Sequence, residues 1–145
     1  MRCWTVLCGG LIVSAPSMAQ EAGYPQDLKV QNAAALRAWH LIVPKEYRSV
    51  DWVYDFNGVA GPMKTVTLSR KPYLLGSVCQ PHDCGDNQVS FLIEVDGRRA
   101  TGLLMKWDTD KELERHKFGN ATALEEDLLI GVLTHNQSAP APKVP

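Results

Sequence analysis

Two cysteines five positions apart bracket the residues of this sequence that are best suited to chemistry. In the stretch CQPHDCG, Cys79 and Cys84 enclose Pro81, His82 and Asp83. Thiols beside an imidazole and a carboxylate could close a loop through a disulfide, bind zinc or exchange disulfides with another protein. The choice depends on the cell compartment and on the elements that hold the loop.

Metal binding and redox chemistry fit the spacing less well than a disulfide does. Cys79, His82 and Cys84 are all zinc-ligand types, but structural zinc sites normally use two separated ligand pairs, and the other histidines have no second cysteine beside them. Thiol oxidoreductases use a CxxC spacing at a helix start, whereas four residues intervene here. We predict no metal and no cofactor. The alternative that the disulfide only stabilises a hairpin, and that its histidine has no function, remains open.

The first residues, MRCWTVLCGGLIVSAPSMAQ, have the layout of a secretory signal peptide. Arg2 precedes an apolar run from Val6 to Val13, and a small-x-small ending stands at Ser17–Ala19. We predict a cleaved signal peptide over 1–19 and export to the periplasm. In an oxidising compartment, the two cysteines that remain are expected to form a disulfide.

The rest of the chain suits one domain, 20–135, with a disordered proline-rich tail over 136–145. Because Arg2 is the only charged residue that is lost with the signal peptide, the rest of the chain has 14 basic and 16 acidic residues. This slight acidity argues against nucleic-acid binding and is compatible with a basic protein partner. No later stretch is long enough to span a membrane. No catalytic constellation stands out, so we do not expect an enzyme.

Helices are predicted on both sides of a strand-rich middle. The alanine-rich stretch 28–40 favours a helix that Asp27 caps and Pro44 terminates. Its buried face would contain Leu28, Ala35, Leu36 and Trp39. Near the other end, Thr122 and Glu125 have the spacing of a capping box. The helix behind them would bury a stripe of Leu124, Leu128, Val132 and Leu133.

Four strands are expected between these helices. KTVTL (64–68) and PYLLGSVC (72–79) form one pair, and QVSFLIEV (88–95) and RRATGLLMKW (98–107) form another, joined by an Asp-Gly two-residue turn. Apolar and polar residues alternate, which predicts a half-buried antiparallel meander of about four to five strands. The fold class is therefore α+β, with helices packed on the sheet. The CQPHDCG loop joins two of the strands and should project from the end of the sheet.

A bridge that closes so short a loop adds local rigidity more than global stability. The chain-entropy model gives only about 2 kcal/mol for it. Pro81 fixes its own φ and restricts Gln80, and Gly85 permits a sharp exit from the loop. His82 and Asp83 would then be presented in few conformations and would lose little entropy on entering a partner.

CQPHDCG, together with KTVTLSRKPYLLGSV before it and TGLLMKWDTDK after it, resembles the inhibitor of vertebrate lysozyme (Ivy) family of Gram-negative periplasmic proteins. The signature of that family is a Cys-Lys-Pro-His-Asp-Cys loop, and the similarity runs from about Val50 to Thr134. The resemblance implies a homodimer of α+β subunits. In each subunit, the disulfide-closed loop would enter the active-site cleft of a C-type lysozyme.

The same resemblance implies roles for individual residues. His82 would lodge between the two catalytic carboxyl groups of lysozyme, Asp83 would make a neighbouring polar contact, and Pro81 would shape the turn between the bridged cysteines. Gln80 stands where the family often has lysine, so any charge contact of that lysine is missing. Two other functions stay open, regulation of the cell's own lytic transglycosylases and a non-inhibitory periplasmic binding module.

Overall fold

The computed structural model of the protein describes residues 21–107, 110 and 112–137. The predicted signal peptide, 1–19, lies outside these residues, as do residues 138–145 of the predicted tail. The first two residues of that tail, 136–137, belong to the last helix, so this helix continues further than predicted. Within the described part of the chain, no helix is long and apolar enough to cross a membrane.

The helices stand before and after a run of strands, as the α+β prediction requires. The strands are β1 (Val59–Ala60), β2 (Lys64–Leu68), β3 (Lys71–Cys79), β4 (Asn87–Glu94), β5 (Ala100–Trp107) and β6 (Leu113–Phe118). The helices are α1 (Leu28–Gln31), α2 (Ala33–Ile42), α3 (Asp51–Tyr54) and α4 (Ala123–Gln137), with single 3-10 turns at Pro25–Asp27 and Lys45–Tyr47.

One antiparallel sheet contains the six strands of the described residues. Strands β3, β4, β5 and β6 follow one another as a meander, and β1 and β2 pair with different parts of β3. The α+β class is confirmed, with one or two more strands than predicted. Strand β6, which is rich in charged residues, forms one edge of the sheet.

The helix predicted over 28–40 is interrupted at Asn32. The Asn32 side chain accepts a hydrogen bond from the backbone N–H of Ala35 at 3.0 Å and donates one to the carbonyl of Val95 at 2.8 Å. Asn32 therefore caps α2, whereas the predicted cap, Asp27, makes no side-chain capping bond. The prediction of a single helix capped by Asp27 was wrong because Asn32 satisfies the backbone locally and ties α2 to the sheet.

Trp39 is the centre of the core on the face of the sheet that carries α2. Its ring is fully buried and stacks on Phe56 with centroids 5.1 Å apart, and its indole N–H donates to the carbonyl of Val53 at 2.9 Å. A Cβ at Gly102 would lie 2.5 Å from this ring, so β5 needs a glycine where the indole crosses it. The prediction that Trp39 is a core residue is confirmed.

Helix α4 covers the other face of the sheet with a stripe that agrees only in part with the predicted one. Leu133 is fully buried, as predicted, but Leu129 is buried as well, and Leu124 is 60% exposed. The helix is rotated because Glu125, one turn before Leu129, also points inwards, where it binds Arg99. With helices on both faces, the sheet is not half-buried as predicted, and β4 is buried along nearly its whole length.

The predicted capping box at the start of α4 is confirmed. The Thr122 N–H donates to the Glu125 carboxylate at 2.7 Å, and the Glu125 N–H donates to the Thr122 hydroxyl at 3.3 Å. Arg99 donates to both oxygens of that carboxylate, at 3.2 and 2.6 Å. Burial by itself would raise the pKa of Glu125, but the bonds from Arg99 and Thr122 outweigh it and lower this pKa.

The β4–β5 hairpin is longer than the two-residue Asp-Gly turn that was predicted. The Glu94 N–H donates to the Arg99 carbonyl at 2.8 Å, which leaves four residues in the loop. Val95 is held away from the turn because its N–H donates to the Pro72 carbonyl at 3.0 Å. Gly97 takes φ +73° and lies against α2, where a Cβ would be 2.5 Å from the Ala34 carbonyl oxygen.

Candidate functional site

The loop between β3 and β4 is closed by a disulfide at the end of the sheet. Cys79 ends β3, and its sulfur is bonded to that of Cys84, with the two Cα atoms 4.8 Å apart. The expected bridge is therefore present. Since each sulfur is bonded to the other, neither is available as a zinc ligand or a free thiol in this state. The short ring holds both ends of the loop together.

Inside the ring, the chain makes a tight turn with His82 at its third position. The Asp83 N–H donates to the Gln80 carbonyl at 3.0 Å, Pro81 occupies the second position, and His82 has φ +65°. Proline followed by a positive φ is the pattern of a type II turn, which usually has glycine or asparagine at this third position. Positive φ is uncommon for other residues and persists only where neighbouring constraints enforce it. Here the proline and the bridge supply those constraints.

Asp83 braces the loop from inside. Its carboxylate accepts a hydrogen bond from the Asn87 side-chain amide at 2.6 Å. Its carbonyl accepts from the backbone N–H groups of Asp86 at 3.3 Å and Asn87 at 3.1 Å. The half-buried Asp83 thus links the turn to the first residue of β4. Sequence reasoning missed Asn87, although an Asp and an Asn four residues apart around a loop can bond in this way.

Two further backbone bonds fix the base of the loop. The Gln80 N–H donates to the Asn87 carbonyl at 3.0 Å, which continues the β3–β4 ladder beyond Cys79. The Trp107 N–H donates to the Asp86 carbonyl at 2.9 Å, which joins the loop to the end of β5. The loop is therefore an extension of the central strands.

The side chains that the sequence singled out differ in their exposure. Pro81 and His82 are exposed, and Gln80 and Asp83 are partly buried. The turn therefore directs an imidazole outwards on a rigid support. A neutral imidazole has one hydrogen-bond donor and one acceptor, on opposite sides of a planar ring. This arrangement suits recognition of two polar groups on either side of a narrow space.

Two hollows flank the loop, one on each face of the sheet. The α4-side hollow, of about 620 Å³, is lined on its sheet wall by Ser77 and Gln88, which alternate in register with residues buried under α4. The α3-side hollow, of about 600 Å³, is lined by Trp52 of α3 and by Leu104, which belongs to the core on the opposite face. Trp107 lines both hollows. The loop therefore stands between two concave surfaces.

Several carboxylates outside the loop are bound to basic residues. Glu94 lies 3.0 Å from the Lys71 ammonium, and Glu126 lies 2.6 Å from that of Lys117. Glu125 is held by Arg99, as described above. These carboxylates contribute to the packing of strands and helix, and the described residues that stand out for recognition are those of the loop.

The fold and the loop define a class of protein, a small α+β domain that presents a disulfide-closed hairpin tip at one end of its sheet. A family model described as inhibitor of vertebrate lysozyme (Ivy) matches residues 33–118. The chain belongs to this family. The matched region begins earlier and ends earlier than the 50–134 estimated from the loop and its flanking strands.

Curated relatives agree with the family match. The chain is 32% identical over 98 residues to the inhibitor of vertebrate lysozyme of Pseudomonas aeruginosa, which covers 67% of this chain and 63% of that protein. It is 27% identical over 108 residues to the inhibitor of vertebrate lysozyme of Escherichia coli K12, which covers 72% of this chain and 65% of that protein. The chain thus spans just under two thirds of the length of these relatives.

Proposed function

We propose that this protein inhibits C-type lysozyme by inserting the loop that carries His82 into the active-site cleft of the enzyme. The observation that carries the proposal is an exposed imidazole on a disulfide-closed turn, in a chain that belongs to the Ivy family. Two of its relatives are named as inhibitors of vertebrate lysozyme. The protein would act as a plug and break no bond.

The chemistry of the target cleft suits an imidazole. A retaining glycosidase places a carboxylic acid and a carboxylate about 5 Å apart on either side of the scissile bond. The ring of His82 is flat and presents a nitrogen towards each side, so it can hydrogen-bond to both groups at once. The bound ring would occupy the acid and the nucleophile together. Substrate could then reach neither group.

The geometry of the loop favours tight binding. A flexible loop would lose conformational freedom on entering a cleft, and that loss would weaken binding. In this protein, the Cys79–Cys84 bridge, Pro81 and the Asp83–Asn87 bond hold the turn before any partner arrives. The affinity contributed by His82 would therefore be reduced little by ordering of the loop.

We propose that Asp83 stabilises the turn of the loop and does not serve only as a contact to lysozyme. Because its carboxylate is bonded to Asn87 at 2.6 Å and is only partly exposed, it orients the turn even where it also touches the target. Gln80 offers a neutral amide at the position where the family often has lysine. Inhibition by this protein would thus depend on His82 and on shape more than on a basic charge in the loop.

Two further expectations accompany the proposal. A disulfide persists in oxidising compartments, so the bridge supports action in the periplasm after removal of the predicted signal peptide 1–19. Family membership supports the predicted homodimer. Sedimentation equilibrium of the protein lacking residues 1–19 tests this prediction, and a monomer at micromolar concentration would contradict it.

Clearing of a cell-wall suspension by a hen-type lysozyme tests the inhibition itself. We expect the oxidised protein to stop clearing at concentrations near that of the enzyme, and a goose-type lysozyme serves as the specificity control. If the hen-type enzyme clears the suspension at the same rate over a large excess of this protein, the proposal is wrong. Inhibition of a purified lytic transglycosylase alone would transfer the function to the cell's own wall enzymes.

A further inference from the structure

We infer that the two hollows beside the loop receive the two walls of the lysozyme cleft, and that Trp107 is a second anchor at the base of the loop. This inference rests on the proposed function and extends it from one side chain to a surface. The two hollows would be occupied by the walls of the lysozyme cleft on either side of the catalytic carboxyl pair.

The position of Trp107 sets it apart from other exposed apolar residues. It ends β5, is 38% exposed, and is tied to the loop through the bond from its N–H to the Asp86 carbonyl. Among the described large apolar residues that are exposed, only Trp107 and Val59 line the hollows, whereas Tyr24, Val30, Leu41 and Leu124 do not. Tryptophan is enriched in the residues that dominate binding energies.

The shape of this end of the molecule matches a cleft. A loop that reaches the floor of a cleft must leave room for the wall on each side. The α4-side and α3-side hollows lie on opposite faces of the sheet, have similar volumes of about 620 and 600 Å³, and share Trp107 as a lining residue. Two walls seated in these hollows would enclose the indole, and burial of an aromatic ring between them would exclude water from it.

The two hollows differ in chemistry, which would fix the orientation of the target. Apart from Ser77 and Gln88 on its sheet wall, the α4-side hollow is lined by small and apolar residues, including Val59, which is 54% exposed. The α3-side hollow contains charged residues, Lys106 and Glu114 among them. If one wall of the lysozyme cleft is more apolar than the other, the more apolar wall would bind in the α4-side hollow and the more polar wall in the α3-side hollow. The inhibitor would then bind in a single orientation.

The experiment compares binding of hen-type lysozyme by the oxidised protein and by four variants, measured by titration calorimetry. Trp107→Ala removes the indole. Gly61→Trp places a bulky ring at the wall of the α4-side hollow, and a Cβ at that position meets nothing within 4 Å. Leu124→Ala is the matched control, because Leu124 is exposed beside the Arg99–Glu125 pair, at the end of β5 far from the loop. His82→Ala reports on the proposed function.

We expect Trp107→Ala and Gly61→Trp each to raise Kd about tenfold or more, and Leu124→Ala to leave it within about twofold. Thermal unfolding should show that all variants remain folded. If only His82→Ala weakens binding, the proposed function stands and this inference is wrong. If the parent protein does not bind, both are wrong. A folded Trp107→Ala variant with unchanged Kd overturns the anchor even if Gly61→Trp interferes.

Discussion

Replacing His82 by alanine is the most informative single change in this protein. The side chain is exposed and the residue adopts φ +65° at the third position of the turn. Its removal should therefore leave the core and the sheet unchanged. Alanine adopts positive φ less readily than histidine does. His82→Asn is therefore a matched control, because asparagine tolerates this backbone conformation and lacks the ring.

The expected loss can be worked out from the bonds that the ring would make. An imidazole between two carboxyl groups makes two hydrogen bonds, and a bond to a charged group contributes about 1.5–3 kcal/mol. The pinned loop loses little entropy on binding, so this contribution should be expressed almost fully. We expect a loss of about 2–4 kcal/mol, which is about 30-fold to nearly 1,000-fold in Kd.

Titration calorimetry with a hen-type lysozyme, followed by the cell-wall clearing assay, measures this loss. Both His82→Ala and His82→Asn should weaken binding to a similar degree and retain the unfolding temperature of the parent. If only the alanine variant loses affinity, the effect comes from the backbone of the turn. If both bind within about twofold of the parent, His82 is not the anchor and the plug mechanism is refuted.

Three other changes test the supports of the loop and of the fold. Replacing Cys79 and Cys84 by serine should raise Kd about tenfold through lost preorganisation while circular dichroism shows a native fold; unchanged affinity would contradict this role. Asn87→Ala frees the Asp83 carboxylate and should weaken inhibition several-fold in the clearing assay with little change in unfolding temperature; a loss of stability with normal inhibition would make the bond merely structural. Glu125→Gln should lower the free energy of unfolding by about 2 kcal/mol at neutral pH in urea titrations. The folded-state pKa of Glu125 is lowered, so its contribution to stability is complete above the ordinary value of 4.5 and is lost as pH falls through the lower folded-state pKa. The unfolding free energies of the parent and the variant should therefore converge in acid. A difference that stays constant with pH would argue against this ion pair.

Local patterns were enough to predict the elements that depend on neighbouring residues. The strands at 64–68 and 72–79 follow from β-branched and aromatic residues bounded by turn residues, and the structure places β2 and β3 within a residue of those bounds. The capping box of Thr122 and Glu125 is likewise a contact within one turn. Such features require no knowledge of the rest of the chain.

Features that depend on distant residues were missed or misplaced. Asn32 interrupts the first helix because its amide reaches Val95, 63 positions away. Helix α4 rotates from its predicted stripe because Glu125 finds Arg99, 26 positions away. In both cases the hydrogen-bond partner is distant in sequence and is brought close only by the fold. The periodicity of apolar residues carries no information about such a contact.

The candidate site shows the same division. The types and spacing of Cys79, His82 and Cys84 were sufficient to single out the loop as a rigid, exposed tip. The brace from Asn87 and the position of Trp107 between two hollows became visible only with the fold, because both depend on how β4 and β5 meet the loop.

A crystal structure of the oxidised protein bound to a hen-type lysozyme tests the central claim most directly. It should place the two ring nitrogens of His82 each within about 3.2 Å of an oxygen of the two catalytic carboxyl groups. A complex in which the His82 ring lies outside the cleft, with the carboxyl pair open to solvent, would contradict the account.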